Sequence, residues 1–192
     1  MKQSSTAGNA VERLKSGNTN FVNDALNNDS QDSSRRKEVI DSQNPFAVIL
    51  TCSDSRVVPE LIFDTGIGEL FVIRVAGNVA NPSSIASIEY AVSHLYIKLI
   101  VVLGHQNCGA VTAALANTDH GKNLDHLLNF IHPAIAISYS KKVDDVSHIH
   151  AKLTAEKLIK NSGIIAKALE GNTLKIIPAY YNLETGQVDF FE

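Results

Sequence analysis

Four uninterrupted apolar runs punctuate the chain: Phe46-Ala47-Val48-Ile49-Leu50-Thr51, Leu70-Phe71-Val72-Ile73, Leu99-Ile100-Val101-Val102-Leu103, and Leu174-Lys175-Ile176-Ile177 with Ala179-Tyr180-Tyr181. Runs that do not alternate with polar residues suit strands covered on both faces. Between them the spacing turns helical, over Ser83 to His94, Ala110 to Leu115, Leu124 to Tyr139 and Val146 to Leu169. Strand and helix in alternation predict an α/β fold, a parallel sheet sandwiched by helices.

Ahead of the first run, Val11, Leu14, Phe21, Val22 and Leu26 are helically spaced, with Gly17 and Asn18 as a break, so two short outer helices are expected. A further helical turn from Arg35 to Asp41 is stopped by Asn44-Pro45. At the other end, Gly186 marks a hairpin turn, and Val188 to Phe191 reads as a short antiparallel edge strand.

The 192 residues, 44% hydrophobic and 19% charged, suit one domain spanning 1–192. Basic residues are scattered apart from Arg35, Arg36 and Lys37, and the net charge is −3, so no nucleic-acid partner is expected. No apolar stretch approaches the roughly 18 to 20 residues that cross a bilayer, so no membrane partner is expected either. Residues 1 to 10 are polar and small, without the order of a secretory signal, which makes the cytoplasm the expected location.

Two cysteines occur, Cys52 and Cys108, and composition leaves a disulfide and a shared metal both open. Their placement adds information. Cys52 follows the first apolar run directly and His105 follows the third with only Gly104 between, so both fall at strand carboxyl ends, where open parallel sheets bind ligands. Cys108 opens the helical run Gly109 to Leu115, where unpaired N–H groups favour a thiolate. Two sulfurs and an imidazole suit Zn2+, and three protein ligands leave a fourth position for water. Asp54 and Arg56 lie close enough to reach the metal or its water, and an arginine fork can orient a carboxylate. A plain disulfide, a closed zinc site or a structural ion pair are the bland alternatives; either motif alone would carry little weight.

At these residues the chain resembles the β-carbonic anhydrases, through Cys52-Ser53-Asp54-Ser55-Arg56-Val57, Phe71-Val72-Ile73-Arg74-Val75-Ala76-Gly77-Asn78, Ser87-Ile88-Glu89-Tyr90-Ala91-Val92 and Val101 to Val111 with His105-Gln106-Asn107-Cys108-Gly109. The likeness extends to Arg13-Leu14-Lys15-Ser16-Gly17-Asn18 and to Ala179 to Gly186, so it covers nearly the whole chain. It implies a four-stranded parallel sheet with an added antiparallel strand, and one zinc ion per subunit on Cys52, His105 and Cys108. It also implies an Asp54–Arg56 catalytic dyad and CO2 hydration by a zinc-bound hydroxide. Because two thiolates cancel the charge of zinc, hydration is expected to strengthen above neutral pH.

The resemblance further implies a narrow CO2 pocket across a dimer interface, lined at Gln43, Phe71 and Tyr90, with Gly109 also against the substrate. Core packing is the competing role for Phe71 and Tyr90. A second subgroup of the family binds regulatory bicarbonate beside a tryptophan three residues before the first cysteine. Here Ile49 takes that place and the chain has no Trp, so an open site with Asp54 paired to Arg56 is expected. Val75 stands where many members have asparagine. The N-terminal helices, about residues 8–41, are expected to pack on a partner in a homodimer or homotetramer. The remaining histidines, His94, His120, His126, His132, His148 and His150, are expected on the surface or in the core, and none is singled out as a proton shuttle. Carbonyl sulfide or carbon disulfide hydrolysis on the same site, and a non-catalytic zinc-stabilised interaction module, are the competing functions.

Overall fold

The computed structural model describes residues 6–116 and 118–191. Two helices, α1 (Ala7–Val22) and α2 (Ser33–Glu38), precede the first strand, β1 (Ala47–Thr51). The short α3 (Pro59–Ile62), β2 (Leu70–Arg74), a 3-10 turn (Ala76–Asn78), α4 (Pro82–His94) and β3 (Leu99–His105) follow. The second half holds α5 (Gly109–Ala116), α6 (Lys122–Leu128), α7 (His132–Ile137), α8 (Val143–Asn161), α9 (Gly163–Glu170), β4 (Lys175–Tyr181) and β5 (Val188–Phe190).

The strands form one sheet in the order β2-β1-β3-β4-β5, with the first four parallel and β5 antiparallel to β4. This is the α/β architecture read from the apolar runs. Alternate residues feed opposite cores, as the twofold repeat of a strand requires. Ala47, Ile49, Leu99, Val101 and Leu103 pack with Val11 and Leu14 of α1 and with Ile62 and Phe63. Val48, Leu50, Ile100 and Val102 pack with Ile85 and Ile88 of α4, Ala151, Ala155 and Leu158 of α8, and Ile165 of α9. β1 and β3 are buried throughout, whereas β2 is an edge strand and only half covered.

Gly17 and Asn18 do not break the first helix: α1 runs through both. Gly17 is there for close approach, since a Cβ would lie 1.9 Å from the Phe63 carbonyl oxygen. Asn18 is buried and ties three segments together. Its amide donates to the carbonyls of Ile62 and Gly186, and its oxygen accepts from the Val188 N–H at 2.8 Å. Conversely, two stretches expected as single helices are each divided. Pro133 begins α7 after a turn, and Ser162 ends α8 and caps α9 by accepting from the Ile165 N–H. α1 covers a face of its own chain's sheet, and α2 buries no residue.

Candidate active site and metal centre

β1 and β3 are neighbours whose outgoing connections part, β1 leading to β2 on one side and β3 leading toward β4 on the other. The crevice beyond their carboxyl ends is the switch point at which such sheets bind ligands. Cys52 leaves β1 there, His105 ends β3, and Cys108 immediately precedes α5. The possible ligand atoms of these three residues all lie within 4.8 Å of one another. All three side chains are buried and both cysteines are free thiols, which removes the disulfide alternative.

The donor set fits a metal ion on a specific observation. His105 Nδ1 lies 2.9 Å from the Gln106 carbonyl oxygen, which can only accept, so Nδ1 carries the proton. Nε2 is then a lone pair, buried and without a hydrogen-bond partner. A buried acceptor beside two thiols is costly unless a cation takes it up.

The sulfurs are electrostatically unequal. The Cys108 thiol beside Cys52 favours charge on the Cys52 sulfur, and the Gly77 and Asp54 N–H groups add to this against burial, so the Cys52 thiol lies well below the usual thiol range. That same contact, together with burial and the Cys52 charge, pushes Cys108 up, although the Val111 and Ala110 amides of α5 oppose it. Cys52 is thus the sulfur more disposed to the thiolate, and a bound divalent cation would favour that form at both.

Asp54 sits in a turn closed by Val57 N–H to Asp54 O at 3.0 Å. Its carboxylate is gripped by Arg56 at two points, Nε to Oδ1 at 2.9 Å and Nη2 to Oδ2 at 2.8 Å, and accepts the Arg56 N–H as well. Arg56 therefore holds the Asp54 carboxyl down at about 2. Oδ2 lies 4.0 Å from His105 Nε2, so the dyad borders the metal-binding trio.

Further residues hold this arrangement that sequence reasoning did not single out. Arg74 Nη2 donates to the Asp54 carbonyl and its Nε to that of Cys52, fixing the loop after β1. Asn107, left-handed at φ 52°, offers its carbonyl to Arg56 while its N–H is held by Asp144 at 2.9 Å. Gly77 donates its N–H to Cys52 Sγ at 3.2 Å. Arg74 carries the one visible signal, a charge at the carboxyl end of an apolar run.

Of the expected pocket residues, Gly109 lies beside the trio, whereas Phe71, Tyr90 and Gln43 lie apart from it within one chain. Gly109 is exposed and faces open space beside Cys108. Phe71 pairs with Val48, four residues before Cys52, or roughly 13 Å along the strand. Its ring lies 6.4 Å from that of Tyr90, which is 45% exposed and stacks on His94. Gln43 is exposed in the loop entering β1, at the opposite edge of the sheet from Cys52. Phe71 and Tyr90 are thus brought together, but neither they nor Gln43 stand at their own chain's metal-binding trio.

The fold and site define a metalloenzyme of the open α/β type, its ligands drawn from two strand ends. Residues 47–188 match the carbonic anhydrase family, and the chain belongs to it. It is 37% identical to a carbonic anhydrase of Mycolicibacterium smegmatis, over 94% of this chain and 91% of that protein. It is 38% identical to carbonic anhydrase 2 of Mycobacterium tuberculosis, over 93% and 89%. Among solved structures, a β-carbonic anhydrase of Aspergillus fumigatus superposes with a TM-score of 0.72 at 28% identity, covering 83% of each chain. The Coccomyxa β-carbonic anhydrase in complex with acetazolamide gives 0.74 at 26% identity, over 94% of this chain and 86% of that one. These similarities place the chain in the β class.

Proposed function

We propose that this chain is a carbonate dehydratase that catalyses the zinc-dependent, reversible hydration of CO2 to bicarbonate and a proton. The observation that carries this reading is the unpartnered His105 Nε2 among Cys52, Cys108 and the Asp54–Arg56 pair. Cys52, His105 and Cys108 would hold one zinc ion per subunit, which would supply the acidification of water that CO2 hydration needs, more fully as pH rises above neutrality. Asp54, ionised and therefore only an acceptor, takes the hydrogen bond of the attacking water and aims its remaining lone pair at the substrate carbon. Arg56 fixes that carboxylate and keeps it charged. Gly109 leaves room for the substrate above Cys108.

Phe71, Tyr90 and Gln43 line the CO2 pocket of a second copy of the chain. Their distance from their own trio, and the half-covered β2 edge that carries Phe71, support this reading and with it a homodimer. Assembly into a homotetramer is supported by a neighbour from Sordaria macrospora that is described as tetrameric, with a TM-score of 0.76 at 23% identity over 95% of this chain and 97% of that one. The residues about 8–41 join that interface, α2 being without buried contacts of its own. The site is of the open kind, Asp54 staying on Arg56 and off the metal. Two free cysteines suit a reducing compartment, and no helix among the described residues is long and apolar enough to cross a membrane; we place the protein in the cytoplasm.

Stopped-flow CO2 hydration on zinc-loaded protein tests the proposal. Rapid hydration that disappears on stripping the metal supports it. Zinc-loaded protein without hydration overturns it and points to carbonyl sulfide or carbon disulfide.

A further inference from the structure

His150, on α8, is buried to 3% exposure behind the metal-binding trio. A buried imidazole is costly unless it is hydrogen-bonded. Its Nε2 lies 2.8 Å from the Gly77 carbonyl oxygen, a group that only accepts, so Nε2 carries the proton. Burial brings His150 down to about 4, so it is neutral at physiological pH and that N–H is its single donor.

Gly77 is held from both ends. Its carbonyl receives the His150 N–H, while its own N–H reaches Cys52 Sγ at 3.2 Å. Its φ of +67° is left-handed, and a Cβ would stand 2.9 Å from Ile131 Cδ1 and 3.2 Å from Ala110 Cβ, so the position demands glycine. The His150 ring borders a cavity of about 340 Å3 that Ala80, Phe130, Leu153 and Thr154 also line, and its Nε2 has a second, longer contact with Thr154 Oγ1 at 3.4 Å. The hydrogen bond therefore adds a directional restraint to the packing around both groups.

We propose that His150 is a positioning residue of the metal centre, latching the Gly77 carbonyl so that the Gly77 N–H stays on the sulfur of Cys52. An N–H directed at a thiolate draws charge from the sulfur, leaving less to be donated to the metal. At a site with two thiolates, this preserves the electrophilic character that water activation needs. The inference rests on the metal-site reading above and extends it to a residue 73 positions from Gly77.

The test uses wild-type protein, His150→Leu and His150→Gln, each loaded with Co2+ for the thiolate-to-metal charge-transfer band and titrated with Zn2+ against a chromophoric chelator. Loss of the N–H raises the energy of the sulfur electrons, so His150→Leu shifts the band to longer wavelength. It also weakens zinc binding about tenfold or more, because without the latch Cys52 is no longer held in place beside His105 and Cys108, and this lost positioning outweighs the stronger donation. His150→Gln, whose amide can donate to the same carbonyl, stays near wild type in both. A wild-type band in His150→Leu with zinc affinity within about twofold, or equal shifts in both variants, overturns the latch. Should His150→Leu not fold, 15N NMR of the wild-type protein decides: the Nε2–H tautomer supports the proposal and the Nδ1–H tautomer overturns it. A wild-type protein with no thiolate–cobalt band overturns the metal-site reading itself, and the latch with it, which separates the two failures.

Discussion

Asp54 and Arg56 are bound to each other by two parallel hydrogen bonds, of 2.9 and 2.8 Å, and the carboxylate oxygen of the shorter one lies 4.0 Å from His105 Nε2. The fork settles two things at once. It fixes where the carboxylate points, and it keeps that carboxylate ionised far below neutral pH. A group that must accept a proton-bearing partner beside a cation needs both.

Asp54→Asn removes the charge but keeps the size. We expect hydration, as kcat/KM, to fall by about 100- to 10,000-fold, with zinc content per chain unchanged because Asp54 is not among the ligands. Stopped-flow rates alongside metal analysis check this. A variant that loses zinc in step with activity would make Asp54 structural.

Arg56→Ala should release the Asp54 carboxyl from its value of about 2 back toward the ordinary 3.8. Because the folded-state value is depressed, the pair stabilises the fold above pH 3.8, and that contribution is lost as pH falls toward about 2. The carbon-13 shift of the Asp54 carboxyl, followed from pH 6 downward at about half-unit steps, reads both proteins directly. Hydration by wild-type protein should therefore not lose its Asp54 function between pH 5 and 7, and its rise above neutrality reports the metal centre instead.

Cys108→Ser replaces a soft thiolate with a hydroxyl, a poor zinc donor, and should cost at least about tenfold in zinc affinity. Stripping the metal from wild-type protein with a chelator should abolish hydration yet leave the far-ultraviolet circular dichroism intact. The two cores on the sheet faces, built on Ile49 and Leu103 and on Val48 and Val102, do not contain the ligands; Cys52 and Cys108 sit in a third, separate cluster with Val79, Val111 and Ile131, so metal loss should be felt there first. Global unfolding on metal removal would instead favour a zinc-stabilised module without catalysis.

The strands and the grouping of Cys52, His105 and Cys108 were legible because each rests on local signals: uninterrupted apolar runs, and soft donors directly beyond two of them. The supporting hydrogen bonds were not. His150 and Gly77 are 73 residues apart, and Asn107 and Asp144 are 37 apart, so no spacing pattern joins them before the helices are docked. Edge placement was equally hidden, since Leu70 to Ile73 reads like a central strand but lies at the border of the sheet. Gly17-Asn18 was misleading for another reason. A glycine beside an asparagine is the ordinary mark of a helix end, yet here both residues serve tertiary contacts within an unbroken helix.

That contact can be tested by adding a single methyl group. In Gly17→Ala the new Cβ would lie 1.9 Å from the Phe63 carbonyl oxygen and 2.5 Å from its carbon, both backbone atoms that cannot swing aside. Intrinsic propensity favours alanine in a helix by about 1 kcal/mol, so a helix free of its neighbours would be stabilised. Overpacking costs about 1 to 3 kcal/mol, and with rigid backbone on the far side the upper end applies, so the net change should be destabilising. α1 would lift from α3 and disturb Asn18, whose three hydrogen bonds join α1 to Ile62 and to the β4–β5 hairpin. Chemical denaturation of zinc-loaded protein should show a lower midpoint than wild type; a higher midpoint would mean that the helix is not seated against Phe63.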